Sequence, residues 1–599
     1  MKKIELSFAA ALIIACGTAS GQNFNPTVEV TNTYQGNASD MVKPMLEMSV
    51  PDSLLRFDLD FDYSVFEKRY DGSFSFKPYM LNMTPELDAY RGHQLFIKAG
   101  AGYSLHPEFD AVWSPYRKGA LQMSLYASHK SYFGEYMDIA PQELDGATKL
   151  IPSGDTWKGY DALTKGGFEG RYNWDGAVLS FGAGYYGLHE KDFLGSRGYN
   201  ALDFNGRIRS NRTDEKYFYY DFSIAGRFGQ DDFKDIAVVE PFFTVEPNAR
   251  ITEGNVFLHG VAGPMLDYFH RVLVGVDAVS STVSDMFHSS MGVIAVTPRY
   301  EFETGRWLFS LGLRVEGLFR PVEDPLSDFG VMNQAKGQVV YPAVNVLFNA
   351  SDAVRIYASA TGGTDINTYS SLIADNHHLT PLFQRYSPAL MENTVEDVNA
   401  KIGVKGNICQ KVQFDFNYGA SILENGLLDG VWKYRKAMLP AVSYQDYNML
   451  YANALIGVKA GKFDINAGIH YKETFLEDDA AFIGFLPEEL TAEGQFVFNF
   501  NSRISAGFTL NAASGRNGNI PSYLHYESYY RDDVIIEPGM LLYSRIPGYV
   551  DLGFVASYQI SRKFGVWGRA GNLLSETVQR NPFYAEKGTW GSLGITLTL

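Results

Sequence analysis

Cysteine is nearly missing from this 599-residue chain, which has only Cys16 and Cys409. Long hydrophobic runs are missing too. Beyond Gly21 no stretch reaches the roughly 18 consecutive apolar residues of a membrane helix. The chain can therefore cross a bilayer only as a closed β-barrel, the other structure that satisfies every backbone group in lipid. No Pro/Ser-rich linker or low-complexity tract divides it, which predicts one large domain. No Gly-rich phosphate loop or nucleophile elbow occurs, so neither an enzyme nor a cofactor is expected. Positive charge is outnumbered: 51 Lys and Arg against 68 Asp and Glu leave a net charge of −17. That balance argues against nucleic acid as a partner.

Glycine and aromatics are abundant, with 58 Gly, 38 Tyr and 42 Phe, while only 20% of residues are charged. The N-terminus suggests export. Lys2 and Lys3 precede an apolar run from Phe8 to Ala15, and small residues follow to Ala19-Ser20-Gly21. This is the layout of a secretory signal over 1–21, cut before Gln22. A second reading stays open, in which Ile13-Ile14-Ala15-Cys16 is a lipoprotein site and Cys16 is acylated. With cleavage before Gln22 only Cys409 remains, and no internal disulfide can form.

Period-two alternation carries the fold assignment. Val412, Phe414, Phe416, Tyr418, Ala420 and Ile422 alternate with Lys411, Gln413, Asp415, Asn417, Gly419 and Ser421. The same pattern recurs over Phe463–Lys472, Leu202–Arg209 and Phe218–Ile224. Segments of about ten residues with one apolar and one wet face are what membrane strands require. Tyr172, Trp174, Trp307, Phe463, Tyr558 and Phe564 fall at ends of apolar faces, where interfacial girdles belong.

Short turns are predicted at Trp174-Asp175-Gly176, Glu253-Gly254-Asn255, Thr304-Gly305-Arg306, Gly461-Lys462, Asn501-Ser502-Arg503 and Ser561-Arg562-Lys563, with others near Pro115, Arg212, Ser351 and Ile408. Long polar connections are predicted between them, at 134–160, 189–200, 229–241, 263–290, 320–337, 362–394, 423–446, 473–488, 514–547 and 574–589. The expected fold is therefore all-β: a transmembrane antiparallel barrel of about 22 strands with short periplasmic turns and long extracellular loops. The first strand is expected near Leu95, giving a signal over 1–21, a periplasmic or lumenal extension over 22–92 and the barrel over 93–599. Pro247, Pro298 and Pro342, inside strands, predict bulges or local edges. The expected location is the outer membrane, in contact with its lipid and lipopolysaccharide.

The ending Tyr549-Val550-Asp551-Leu552-Gly553, then Gly571-Asn572-Leu573-Leu574, then Phe583-Tyr584 and an alternating last strand, resembles the C-terminal barrel of TonB-dependent outer-membrane receptors. That resemblance implies solute uptake or reception at the cell surface. The family carries a folded plug before the barrel, and no plug motif stands between Gln22 and Gly92. The last residue is Leu599, where such barrels usually end in an aromatic. Thr27-Val28-Glu29-Val30-Thr31 is similar to a TonB box, which would make TonB a partner, with another periplasmic or outer-membrane subunit as the alternative. A non-transporting subunit, for example of barrel-assembly machinery, and a passive pore stay open.

Polar side chains on the inward face are the candidate lining: Lys165, Glu169, Arg171, Asp203, Arg207, Arg209, Asp221 and Arg227. Mixed charges at this spacing suit ion pairs along a wet interior or a selectivity filter. The pair His377-His378 falls in a long connection and reads as a solvated loop, since no cysteine or regularly spaced carboxylate accompanies it, so no metal site is expected. Asp231-Asp232, Glu477-Asp478-Asp479 and Asp532-Asp533 read as solvated loop tips rather than calcium ligands.

Overall fold

The structure, a computed structural model, describes residues 94–599 except 104, 117–118, 145–146, 194, 211–217, 235–247, 268, 286–288, 320–338, 352, 380–390, 409–410, 435–436, 478–481 and 522–540. The signal segment 1–21, the strip Thr27–Thr31 and the rest of the 22–92 extension lie outside the described residues. Among those described, no helix is long and apolar enough to cross a membrane.

The strands in chain order are β1 Leu95–Gly102, β2 Glu108–Tyr116, β3 Leu121–Leu144, β4 Ala147–Trp174, β5 Ala177–Lys191, β6 Ser196–Ser210, β7 Phe218–Lys234 and β8 Asn248–Pro264. There follow β9 His270–Asp285, β10 Ser289–Glu303, β11 Trp307–Phe319, β12 Val340–Ser351, β13 Val354–Ile366, helix α1 Tyr369–Asp375, β14 Asn393–Ile408, β15 Val412–Tyr434 and β16 Ala437–Ala460. The chain ends with β17 Phe463–Leu476, β18 Gly484–Phe485, β19 Leu490–Asn499, β20 Ile504–Ala513, β21 Arg516–Pro521, β22 Leu541–Ile546, β23 Tyr549–Gln559, β24 Phe564–Gly571 and β25 Trp590–Thr598.

Each wall strand pairs antiparallel with its neighbours, and β1 pairs with β25 from Phe96↔Thr598 to Gly102↔Ser592, closing a barrel of 22 strands. Closure removes the free edges that an open sheet would expose. Strands β18, β21 and β22 stand outside this wall. An even strand count places both ends of the barrel sequence at one rim, called here the terminal rim.

The outer surface is apolar because alternate side chains point there. Phe416, Tyr418 and Ile422 of β15 are exposed, whereas Ser421 is buried; Ile469 and Tyr471 of β17 are exposed and His470 between them is buried. A belt of exposed Leu, Ile, Val and Phe on every side belongs in hydrocarbon. The six aromatics expected in a girdle are all exposed, and all sit at strand ends beside terminal-rim turns. Trp307 packs on Phe348 of the adjacent hairpin with ring centroids 4.4 Å apart.

Several connections differ from those predicted. Glu253-Gly254-Asn255 is not a turn but the interior of β8, with Glu253 opposite Gly229 on one side and Val283 on the other. The Glu253 carboxylate points inward and is satisfied there. The true turn follows Pro264, inside the predicted 263–290 connection, most of which is β9. The segments 134–160 and 423–446 are also strand: β3 and β4 pair out to Leu144↔Ala147, and β15 and β16 to Tyr434↔Ala437. These two hairpins rise above their neighbours, and their polarity reflects height beyond the apolar belt rather than loop structure. No bulge forms at Pro298, where the β10–β11 ladder skips the proline and resumes in the same register, Val296↔Val315 then Arg299↔Gly312. Pro342 pairs in register with Leu313, and Pro247 lies outside the described residues.

Bulges cluster elsewhere. Consecutive strands β13, β14 and β15 shift register at Thr361/Gly363, Glu396/Val398 and Leu423/Gly426. Bulges add twist and re-aim the chain. Here they surround the root of the β13–β14 connection, which turns into the barrel.

Candidate functional site

The rim opposite the termini is filled by the chain's own connections. The β13–β14 connection carries α1, whose N-cap Thr368 accepts a hydrogen bond from the Ser371 N–H at 3.2 Å and whose C-cap Asn376 N–H donates to Leu372 O. Tyr369, Leu372 and Ile373 are spaced three and four apart, so they share one helical face. That face packs with Leu163, Tyr186, Leu188, Tyr199, Phe233, Ile251, Val283 and Met291 from the inner walls of β4 to β10.

Polar groups fix the register of this packing. The Tyr369 hydroxyl donates to Asp231 of β7 at 2.5 Å, and the Ser370 N–H donates to Glu253 of β8 at 2.9 Å. Tyr199 and Asn255 also donate to Glu253. Arg197 of β6 lies 3.1 Å from Asp231 and donates to the His377 and Leu379 carbonyls. At the loop's return, the Asn425 amide donates to Glu392 and to the Asn393 carbonyl, both at 2.8 Å. Asn425 does so from a positive φ of 56°, a conformation asparagine tolerates better than most residues.

A second closure spans the mouth. β18 pairs with β15 through Asp429↔Phe485 and with β21 through Phe485↔Gly518; β21 pairs with β22, and β22 joins β4 in parallel at Ser544↔Thr148 and Arg545↔Lys149. A hydrogen-bonded chord thus crosses from β15 to β4. Buried Arg516 pins it: one guanidinium reaches Asp429 at 2.5 Å, Leu486 O at 2.8 Å and Arg580 O at 2.8 Å. Ile139, Leu150, Phe485, Ile520, Ile546 and Phe583 pack around the chord.

The β24–β25 connection completes the cap. Lys587 lies 4.0 Å from the Trp590 ring and 3.0 Å from His106 Nε2. Burial, then Arg569, pulls the Lys587 ammonium down to about 7 against the opposing pull of Glu108, Glu586 and Asp161. Burial and the Lys587 charge hold His106 at about 3. Burial, then Asp192 and Glu190, raises the Tyr584 phenol well above its ordinary range.

The eight residues predicted as lining lie on β4, β6 and β7. Asp203 and Arg227 form a two-point ion pair at 2.6 and 2.7 Å, as do Arg207 and Asp221 at 2.8 and 2.5 Å. Lys165 and Arg227 both face the Tyr186 ring, at 5.5 and 4.7 Å, and Arg171 donates to Asn173 at 2.7 Å. Glu169 and Arg209 are half-buried on the same strands. None of the eight lines a cavity of about 750 Å³ whose walls come from β13 to β25 and include Lys405, Asp415, Asn466, Glu493, Asp551 and Arg569.

The residues that hold the inward loop were not anticipated. Asp231 is fully buried rather than a solvated loop tip, and His377 and His378 pack inside, His378 stacked on Tyr584 at 3.8 Å. The Tyr369, Leu372, Ile373 spacing was the signal that marks an apolar helical face here.

This fold defines a class by its architecture: a closed antiparallel barrel of 22 strands, with described parts of its own connections turned into the mouth opposite the termini. No protein-family model and no curated protein matches the sequence. Solved structures do match it, and they are TonB-dependent receptors. The FrpB iron transporter from Neisseria meningitidis is 8% identical with a TM-score of 0.58, over 86% of this chain and 83% of that one. The siderophore receptor PirA from Acinetobacter baumannii is 10% identical with a TM-score of 0.56, over 85% and 80%. The copper transporter OprC is 12% identical with a TM-score of 0.56, over 85% and 81%. At these identities the likeness is one of fold.

Proposed function

We propose that this chain resides in the outer membrane and moves or receives a solute there, with the β13–β14 connection as its gate. The observation that carries the reading is the inward helix, seated by Asp231, Glu253 and Arg197 on the barrel's inner wall. The terminal rim then faces the periplasm and the capped rim faces outside. Lys165, Glu169, Arg171, Asp203, Arg207, Arg209, Asp221 and Arg227 line the lumen in this reading, paired charges that keep it wet without binding solute tightly. A mature chain beginning at Gln22 would place Thr27–Thr31 in the periplasm, where TonB could add it as a strand. Lipid and lipopolysaccharide surround the belt, and the chemistry is transport rather than catalysis.

Planar-bilayer recording tests the gate. The intact chain should conduct little, and deletion of 368–391 should open steady channels; equal conductance in both would remove the gate. A non-transporting subunit is the second reading, favoured by the lack of a glycine-rich plug motif between Gln22 and Gly92. Stoichiometric copurification of another outer-membrane protein, with no binding of a Thr27–Thr31 peptide to the TonB C-terminal domain, would select it.

A further inference from the structure

Three connections meet at His378. It belongs to the inward β13–β14 connection, Glu190 and Asp192 lie at and just beyond the end of β5, and Tyr584 belongs to the β24–β25 connection. Ligand atoms of His378, Glu190 and Asp192 lie within 4.8 Å of one another. Glu190 is 5% exposed. Its Oε1 contacts His378 Nδ1 directly as an ion pair. An imidazole and a carboxylate already in contact, with a second carboxylate beside them, gather three groups of the kind that ligate one ion.

Asp192 is held for the same task. Its Oδ1 accepts from the Gly195 N–H and its Oδ2 from the Tyr584 hydroxyl, both at 2.8 Å. Tyr584 also stacks on the His378 ring, 3.8 Å between centroids and 10° from parallel, so one side chain orients two of the three ligands. Orientation by such neighbours is a regular feature of metal sites.

We propose that His378, Glu190 and Asp192 bind a divalent transition-metal ion, with Zn²⁺ as the reference, and that this ion fastens the inward connection to the wall. One imidazole and two carboxylates suit Zn²⁺ or Cu²⁺ and do not suit Mg²⁺ or Ca²⁺, which take oxygen alone. Ligands about 2.0–2.2 Å from Zn²⁺ stand about 3–4 Å apart, within reach of side-chain rotation from the present spacing. Three protein ligands leave a fourth position open. The binding site stands on its own geometry; the fastening role rests on the gate reading above.

The test uses the full chain in detergent, stripped with a chelator, titrated with Zn²⁺ by calorimetry and checked by circular dichroism. One high-affinity equivalent is expected, weakened about tenfold or more by His378→Gln, Glu190→Gln or Asp192→Asn and unchanged by His259→Gln. Absence of that equivalent, or its survival in all three folded variants, overturns the site. Bilayer conductance then separates the two readings. Zn²⁺ should lower residual conductance of the wild type and leave His378→Gln unchanged. If Zn²⁺ binds at these residues without altering conductance while deletion of 368–391 still opens the channel, the fastening role fails and the gate stands.

Discussion

The Tyr369 hydroxyl and the Asp231 carboxylate, 138 residues apart in the chain, meet in a buried hydrogen bond of 2.5 Å. Tyr369 brings the first turn of α1 to the wall, and Asp231 also receives Arg197, which in turn holds two carbonyls further along the same connection. One carboxylate thereby fixes both ends of an inserted segment.

Removing the hydroxyl should loosen that segment without unfolding the barrel. Tyr369→Phe is expected to cost about 1–3 kcal/mol of local stability, the loss of a hydrogen bond to a charged group. Asp231→Ala should cost more, about 3–5 kcal/mol, because Arg197 is left buried without its anion. Hydrogen exchange over 367–379 measures both, and unaltered exchange in Asp231→Ala would disprove the anchoring.

The faces of β15 and β17 should tolerate charge unequally. Phe416→Arg and Ile469→Arg, on the exposed apolar side, are expected to lose about 2–4 kcal/mol in lipid if near the mid-plane, and Gln413→Arg, on the cavity wall, far less. Refolding titrations into vesicles give the values; equal losses would reverse the assigned faces.

Arg516 should be the residue on which the chord depends. Arg516→Ala removes donors to Asp429 and to two carbonyls and is expected to cost about 2–3 kcal/mol. Arg516→Lys should recover only part of this, since an ammonium cannot span three acceptors in a fork. Protease protection of 482–486 reports the outcome, and protection in Arg516→Ala equal to wild type would contradict it.

Lys587 makes the cap pH-dependent. Its ammonium is held at about 7 by burial and Arg569, below the ordinary 10.5, so between those values the unfolded cap binds a proton that the folded cap does not. Stability contributed here should rise as pH goes from 7 to 10.5 and level off below 7. His106, Glu108, Glu586, Asp161 and Arg569 face the same group. Exchange over 572–589 should show this slope in the wild type and lose it in Lys587→Met; a slope unchanged in the variant assigns it to another group.

Surface labelling checks orientation. Leu144→Cys, at the exposed tip of β3, should react with an impermeant maleimide on whole cells, and Gly305→Cys, in a terminal-rim turn, should not. The reverse pattern would invert the barrel.

The wall was readable because period two is a direct signature of a sheet with unlike faces, as Phe416 against Gln413 and Ile469 against His470 illustrate. The girdle followed from the same rule. What could not be read was which polar residues were wet. Glu253, Asp231 and His378 have the composition of turns and loop tips, yet Glu253 and Asp231 are buried and His378 is half-buried, each against a segment distant in sequence. Alternation reports the face a side chain takes and carries no information about what later covers that face. Hence the strand count was right while Glu253-Gly254-Asn255 was mistaken for a turn, and 134–160 and 423–446 for loops.

The parallel pairing of β22 with β4 has a consequence for biogenesis. Ser544 and Arg545 can meet Thr148 and Lys149 only after the strands between them have been brought round toward a ring. Such long-range pairing forms late, because its entropy must be lost before any bond is gained. A barrel can therefore complete its wall before its mouth is covered, and a chain with 541–546 deleted but β23 to β25 intact would remain at that stage as a closed ring without the β22–β4 end of the chord.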